Sequence, residues 1–227
     1  MTNLTNTNPL RTTLALSLGS AVALGFARFN YALLLPAMRQ DLAWTYTQAG
    51  SMNTANALGY MFGALMAAPI GKRWGLARTF WVSMVVVGLA MLLTGIVSSF
   101  PALLIFRLLA GFAGATTFII GATLASQLAG SGRGGLILGI YFSGIGLGVF
   151  LASVGLPQLL EQNLTIWRTA WVAILLFFVW IWLHYLHDLC DLPFALKRRW
   201  QQRSSYFLVY LWCRLDGKFI YLEPAAR

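Results

Sequence analysis

The chain has 227 residues, 59% of them hydrophobic and 10% charged, and its 16 Lys and Arg against 6 Asp and Glu give a net charge of +10. Soluble domains average about 45–50% apolar and about 25% charged residues, so this composition excludes an ordinary water-soluble globule and equally a disordered chain. The 22 glycines and 9 tryptophans agree, since Gly is common in membrane helices and Trp gathers at membrane interfaces.

A spanning helix needs about 20 apolar residues, and six apolar stretches can be read between turn signals, at 12–38, 49–70, 77–98, 101–129, 134–157 and 166–183. The separators are Arg39-Gln40-Asp41, Gly71-Lys72-Arg73-Trp74-Gly75, Ser98-Ser99-Phe100-Pro101, Gly130-Ser131-Gly132-Arg133 and Gln158 to Thr165. Each combines charge, Gly, Ser or Pro in a short loop. Arg11 followed by an apolar run containing Ala21-Val22-Ala23 has the outline of a signal peptide. The run nevertheless continues to Met38 and five more follow, which favours a retained first helix. The expected fold is therefore an all-α membrane bundle of six transmembrane helices over residues 12–183, with residues 1–11 as a short N-terminus.

Orientation follows from the basic residues. With a cytoplasmic N-terminus, the inside positions hold Arg11, Lys72, Arg73, Arg78, Arg133, Lys197, Arg198, Arg199 and Arg203, and the outside loops hold only Arg39 and Arg168. Nine against two places both termini in the cytoplasm, with an inner membrane as host. It also accounts for the cluster Lys197 to Arg203 without a nucleic-acid partner.

Ionisable groups inside a span are expensive and by default functional. Arg28 lies eight residues before Pro36 in the first span, and Arg107 lies six residues after Pro101 in the fourth. At about 1.5 Å per residue both start roughly 10 Å below the same surface and are placed to face one cavity. Snorkelling or pairing with backbone carbonyls is the structural alternative for each. On the second span Asn53, Asn56 and Tyr60 recur at i, i+3 and i+7 and share a face, which in lipid must turn inward, for a ligand or for interhelical hydrogen bonds. Gln48 and Asn30, near helix ends or isolated, decide nothing. Gly59-x-x-x-Gly63, Gly135-x-x-x-Gly139 and Gly144-x-x-x-Gly148 are helix-packing patterns. Arg107, Gly111, Gly114, Phe118 and Gly121 form one stripe that heads a narrow groove. The six spans hold no Asp, Glu, Lys or His, so they offer cationic groups for an anion, or for a carboxylate supplied elsewhere, but no proton relay.

The run Gly25-Phe26-Ala27-Arg28-Phe29-Asn30-Tyr31 leading to Leu35-Pro36-Ala37-Met38, then Gln48-Ala49-Gly50 and Asn53-Thr54-Ala55-Asn56-Ala57-Leu58-Gly59-Tyr60, resembles the N-terminal half of a major facilitator superfamily permease of the bacterial YbfB/YjiJ-like branch. The likeness covers residues 12 to 180. Lys72-Arg73-Trp74-Gly75-Leu76-Ala77-Arg78 sits where the superfamily has its Asp-Arg-x-Gly-Arg-Lys loop, with Lys72 in place of the Asp and Leu76 in place of an Arg. Arg107-x-x-x-Gly111-x-x-Gly114 resembles the fourth-helix motif. Glycines 139, 144, 146 and 148 resemble the fifth-helix motif of drug/proton antiporters, without its Pro. The resemblance implies one half of a twelve-helix transporter, built from 3+3 inverted repeats and working by alternating access. It further implies a small-molecule substrate, an anion suiting the cationic groups, and a coupling ion, with a proton first in line and efflux the favoured direction. Arg28, Tyr31, Asn53, Asn56, Tyr60 and Arg107 are the substrate-binding positions it carries over.

After residue 183 the texture changes: residues 184–227 hold both His, both Cys, 4 of the 6 acids and 7 of the 16 basic residues, but one glycine, Gly217. The expectation is an atypical cytoplasmic basic tail of truncated or frame-shifted origin with the natural second half absent, the runner-up being an authentic half-size protein that forms a homodimer to rebuild the cavity. Cys190 and Cys213 lack metal-ligand or disulfide spacing, and His184, His187 and Asp188 sit at a helix end, so neither a metal nor a cofactor is expected. Catalytic residues are not expected either, because Ser143 has no His or Asp in the six spans to activate it. The leading function is a secondary transporter in the lipid bilayer, and the alternative is a membrane-embedded structural or partner-binding subunit that dimerises. Reporters fused after Trp74 and after Gln162 are expected on opposite faces of the membrane; activity of both on one side would overturn the assigned topology.

Overall fold

The computed structural model describes residues 9–128, 134–160, 167–173 and 176. The first rod is continuous but not uniform: α1 (Pro9–Ser20), a π-helical segment (Ala21–Phe29) and α2 (Asn30–Asp41) follow one another without a break. Pro9 opens it, where a missing N–H costs nothing. No proline or other breaker explains the π segment. Its wide turns coincide instead with the contact to a later helix, where Gly25 lies against the backbone of Gly148.

Four residues on, α3 (Tyr46–Trp74) starts at a reciprocal cap. Gln48 N–H donates to Thr45 Oγ1 at 3.2 Å and Thr45 N–H donates to Gln48 Oε1 at 2.9 Å, satisfying two donors that a helix start leaves free. Gln48 therefore has a definite role that its position near a helix end concealed. The expected five-residue loop at Gly71–Gly75 is one residue long. α3 runs through Trp74 and α4 (Leu76–Ile96) begins two residues later, because Gly75 adopts φ 88° and ψ 143°, a conformation that is essentially glycine's alone. α5 (Phe100–Leu128) and α6 (Gly134–Leu160) follow, and residues 167–173 are helical. The Gly130–Arg133 separator, most of the sixth stretch and the tail at 184–227 lie outside the described residues.

Four described helices are long and apolar enough to cross a membrane: Leu10–Asp41, Leu76–Ile96, Phe100–Leu128 and Gly134–Pro157. α3 has the length but not the apolarity, because Thr47, Gln48, Ser51, Asn53, Thr54 and Asn56 fill its first half.

Two seams hold the bundle. Where Gly59 and Gly63 of α3 meet α5, a built Cβ would strike the backbone carbonyls of Leu108 and Phe112, and one on Gly111 would strike the carbonyl of Asn56. Because 59 pairs with 108 and 63 with 112, α3 and α5 run parallel. The second seam pairs Gly144 with the Ser17 carbonyl and Gly148 with Ala21 and Gly25, so α6 runs parallel to the first rod. Lipid gives apolar helices no hydrophobic reason to associate, so close backbone packing and interhelical hydrogen bonds must supply it. Those bonds are present: Ser20 Oγ donates to the Tyr141 carbonyl at 2.8 Å, Tyr141 Oη to the Phe118 carbonyl at 2.8 Å, and Thr117 Oγ1 to Ser83 Oγ at 2.8 Å. The third pattern, Gly135-x-x-x-Gly139, does not pack; both glycines are exposed, with nothing within 4 Å of a built Cβ.

At one end of the bundle, Asp41 accepts from Trp167 Nε1 at 3.0 Å and pairs with Arg168 at 3.6 Å, while Arg168 Nη2 donates to Ser98 Oγ at 3.0 Å. Three elements are tied there through the one acid among the described residues. Lys72, Arg73 and Arg78 are exposed at the opposite end.

Gly111→Ala is expected to cost about 1–3 kcal/mol, since the methyl meets backbone rather than a side chain that can move. Gly139→Ala, by contrast, should be neutral or slightly stabilising. Thermal unfolding of the two variants in one detergent checks this, and equal melting temperatures would refute the seam.

Candidate functional site

Between the first rod, α3 and α5 lies a narrow groove, with about 170 Å³ of empty space when the solvent it opens onto is counted and no room for a water-sized molecule, lined by Ala23, Ala27, Arg28, Asn56, Tyr60, Ala110, Gly111 and Gly114. Its floor is made of Ala and Gly because the helices that form it touch backbone to backbone. Polar character is confined to Arg28, Asn56 and Tyr60. The Arg28 guanidinium is half-buried and lies over the Tyr60 ring at 4.5 Å, a cation–π contact worth about 0.5–2 kcal/mol depending on desolvation. Asn56 is buried and donates through Nδ2 to the Arg107 carbonyl at 3.0 Å.

Arg107 does not join Arg28 in this groove. Arg107 Nη1 donates to the carbonyl of Ala27, the residue before Arg28, at 3.3 Å. The two guanidiniums nevertheless point apart. Arg107 is 2% exposed and is held between aromatic faces, 3.8 Å from the Tyr31 ring centre and 4.7 Å from that of Trp171. Helix rotation explains the divergence: Arg28 follows Ala27 by one residue of the π-helical segment and so leaves it in a different direction from the carbonyl that Arg107 reaches. Tyr31 is buried beneath Arg107, with its hydroxyl donating to the Ala49 carbonyl at 3.5 Å.

The six expected site residues thus divide. Arg28, Asn56 and Tyr60 meet in the groove; Tyr31 and Arg107 form a second, enclosed centre behind it, and Asn56 touches both through the Arg107 carbonyl. Asn53 is exposed, one turn before Asn56, so the polar stripe on α3 turns inward only in part. Of the Arg107 stripe, Gly111, Gly114 and Gly121 are buried as expected and Phe118 is half-buried, but Arg107 is closed off from the groove it was expected to head.

Two contributors lay outside the sequence reading. Trp171 closes the Arg107 centre, seated where Gly95 of α4 leaves room for its Cβ at 3.0 Å. Asn30, set aside as isolated, is 1% exposed one residue before Tyr31. Its polarity inside a span was a usable signal; nothing in the local sequence announced Trp171 as a partner of Arg107.

A bundle of apolar helices around a half-buried cationic groove defines a multi-pass membrane protein with a polar interior. The family described as the uncharacterised MFS-type transporter YbfB matches residues 20–210, and the chain belongs to this family of transporters. The match crosses the change in composition at 184. A chloramphenicol resistance protein of Streptomyces lividans is 28% identical over 122 residues, which cover 54% of this chain and 31% of that protein. The aligned stretch therefore spans about a third of that relative's length. No solved structure matches significantly.

Asn56→Ala is expected to lower stability by about 0.5–1.5 kcal/mol, the worth of one interhelical hydrogen bond. Thermal unfolding in detergent reads the loss, and an unchanged melting temperature would show that the bond to the Arg107 carbonyl contributes nothing.

Proposed function

We propose that this chain is one half of a secondary transporter that moves a small molecule by alternating access. The observation that carries the proposal is the groove: it presents Arg28, Asn56 and Tyr60 on a floor of small residues, and by itself it is too narrow to hold even a water-sized molecule, far short of the about 300–1,000 Å³ of ordinary ligand pockets. A second wall, from another six-helix half or a second copy of the chain, would complete it. In this reading residues 12–183 form six spans, residues 1–11 and 184–227 are cytoplasmic, and the host is an inner membrane. The clustering of Lys72, Arg73 and Arg78 at one end of the bundle supports that orientation.

The two glycine seams support a 3+3 inverted repeat. Exchanging the first span for the fourth and the second for the fifth converts the contact between α3 and α5 into the contact between α6 and the first rod. Both contacts are parallel, and both are made by a Gly-x-x-x-Gly helix against a backbone. Efflux is the favoured direction on the likeness to the chloramphenicol resistance protein, with proton coupling supplied by groups outside the described spans. Arg28 and Tyr60 hold the substrate, Asn56 sets the floor, Asn53 faces the open side, and Tyr31 and Arg107 act from behind.

Chloramphenicol is the probe. Membranes carrying the complete transporter assembly are expected to extrude it, and Arg28→Ala is expected to cut flux by about two- to fivefold, matching loss of about 0.5–1 kcal/mol at a half-buried cation–π contact, with insertion unchanged. Unchanged flux together with failed assembly of the variant would favour the alternative of a structural subunit.

A further inference from the structure

Arg107 is anchored in a manner that leaves one edge of its guanidinium without a partner. Both faces are covered, by Tyr31 at 3.8 Å and Trp171 at 4.7 Å. Nη1 is used by the Ala27 carbonyl. Nε and Nη2 are buried and have no acceptor among the described residues. These two nitrogens form the side-on fork of an arginine, with parallel N–H bonds that match the two oxygens of a carboxylate.

Further unpartnered polar groups belong to residues in or next to this contact. Trp171 Nε1, in the indole that covers the guanidinium, is buried without a hydrogen-bond partner among the described residues, and so are both polar atoms of the Asn30 amide, one residue from Tyr31 and three from Ala27. Nearly all buried polar groups in folded proteins are hydrogen-bonded, and an unopposed buried charge is the most expensive exception. Here the groups are almost all donors. The single acid among the described residues, Asp41, is engaged elsewhere by Trp167 and Arg168.

We propose that the Nε–Nη2 edge of Arg107, with the Asn30 amide and the Trp171 indole N–H beside it, is an enclosed subsite for the carboxylate of a small organic anion. A planar two-oxygen head uses the fork as a pair, which a spherical halide does not, and the flanking rings admit little thickness beyond such a head. The inference deepens the transporter reading by naming a class of cargo, and it rests on that reading. The subsite is linked to the groove at both ends of one residue: Arg107 holds the Ala27 carbonyl through its side chain and Asn56 through its own carbonyl, and both of those residues line the groove. Filling the fork therefore bears on the groove wall without Arg107 entering it.

The test uses the full chain purified in detergent, with benzoate as probe and benzamide and chloride as controls, read by melting temperature and titration calorimetry. Benzoate is expected to bind and raise the melting temperature, while benzamide, of the same shape without the charge, and chloride, of the same charge without the second oxygen, do not. Arg107→Lys keeps the charge and loses the fork, and is expected to weaken benzoate binding by about tenfold or more, the effect of one charge-assisted hydrogen bond. Trp171→Phe keeps a ring over the guanidinium and removes the N–H, and is expected to weaken binding several-fold, which keeps the question open to measurement even where Arg107→Lys fails to fold. Equal shifts with chloride or benzamide, or undiminished binding by Arg107→Lys, would overturn the subsite. Chloramphenicol flux that persists while benzoate fails to bind removes the subsite and leaves the transporter reading standing. Benzoate binding to a protein that moves nothing does the reverse.

Discussion

Backbone touching backbone is the constraint from which the rest of this molecule follows. Hydrocarbon surrounds the bundle with a solvent as apolar as its own side chains, so burying Leu against Leu gains little and contact must come from geometry and hydrogen bonds. Glycines at 59, 63 and 111 bring α3 onto α5, and glycines at 144 and 148 bring α6 onto the first rod. Large apolar side chains are displaced from these seams. Leu58, Met61, Phe62, Leu65 and Met66 of α3 are exposed on its other faces, as suits groups that meet lipid or another helix bundle.

The same closeness creates the polar interior. Two helices in backbone contact leave only shallow space at their margin, and a third helix laid across that margin encloses a groove with small residues for a floor. Any polar side chain at the edge of a seam then finds carbonyls within reach. Asn56 takes the Arg107 carbonyl in this way, Thr116 reaches the Gly63 carbonyl at 3.5 Å, and Ser20 the Tyr141 carbonyl. Groove and seam are consequences of one another. Substitutions at the glycines would alter the site without touching its polar residues.

The seams were legible because small residues at i and i+4 carry a direct packing meaning, and two of three such patterns act on it. The third, at Gly135 and Gly139, shows the limit: spacing identifies a face that permits close approach but not whether a neighbour arrives. The cost of a buried charge picked out Arg28 and Arg107 without any fold. Their separate environments were not legible, since one residue of helical rotation beside Ala27 decides which side of the wall each occupies. The π segment was likewise silent, because Ala21–Phe29 contains nothing that prohibits an α-helix and the wide turns accompany contact with α6. Asn30 was readable by the argument applied to the arginines and was discounted for its isolation, although isolation in sequence says nothing about neighbours in space.

The electrostatic balance of the bundle connects these points. Among the described residues there is one acid, and it sits at a helix end tying Trp167 and Arg168 together, so no carboxylate of the described residues neutralises Arg28 or Arg107. Aromatic faces stand in: Tyr60 under Arg28, Tyr31 and Trp171 around Arg107. A ring quadrupole attracts a cation with about 0.5–2 kcal/mol and carries no net charge, whereas a buried carboxylate partner would hold the arginine permanently and cancel it. Rings therefore keep each guanidinium placed, Arg28 half-buried and Arg107 buried, without cancelling its charge, and Nε and Nη2 of Arg107 stay without an acceptor among the described residues. An interior designed only for stability gains nothing from that arrangement, because replacing buried charge with apolar volume is commonly neutral or stabilising. A charge held on aromatic supports stays open to an anion, as the proposed subsite requires of Arg107.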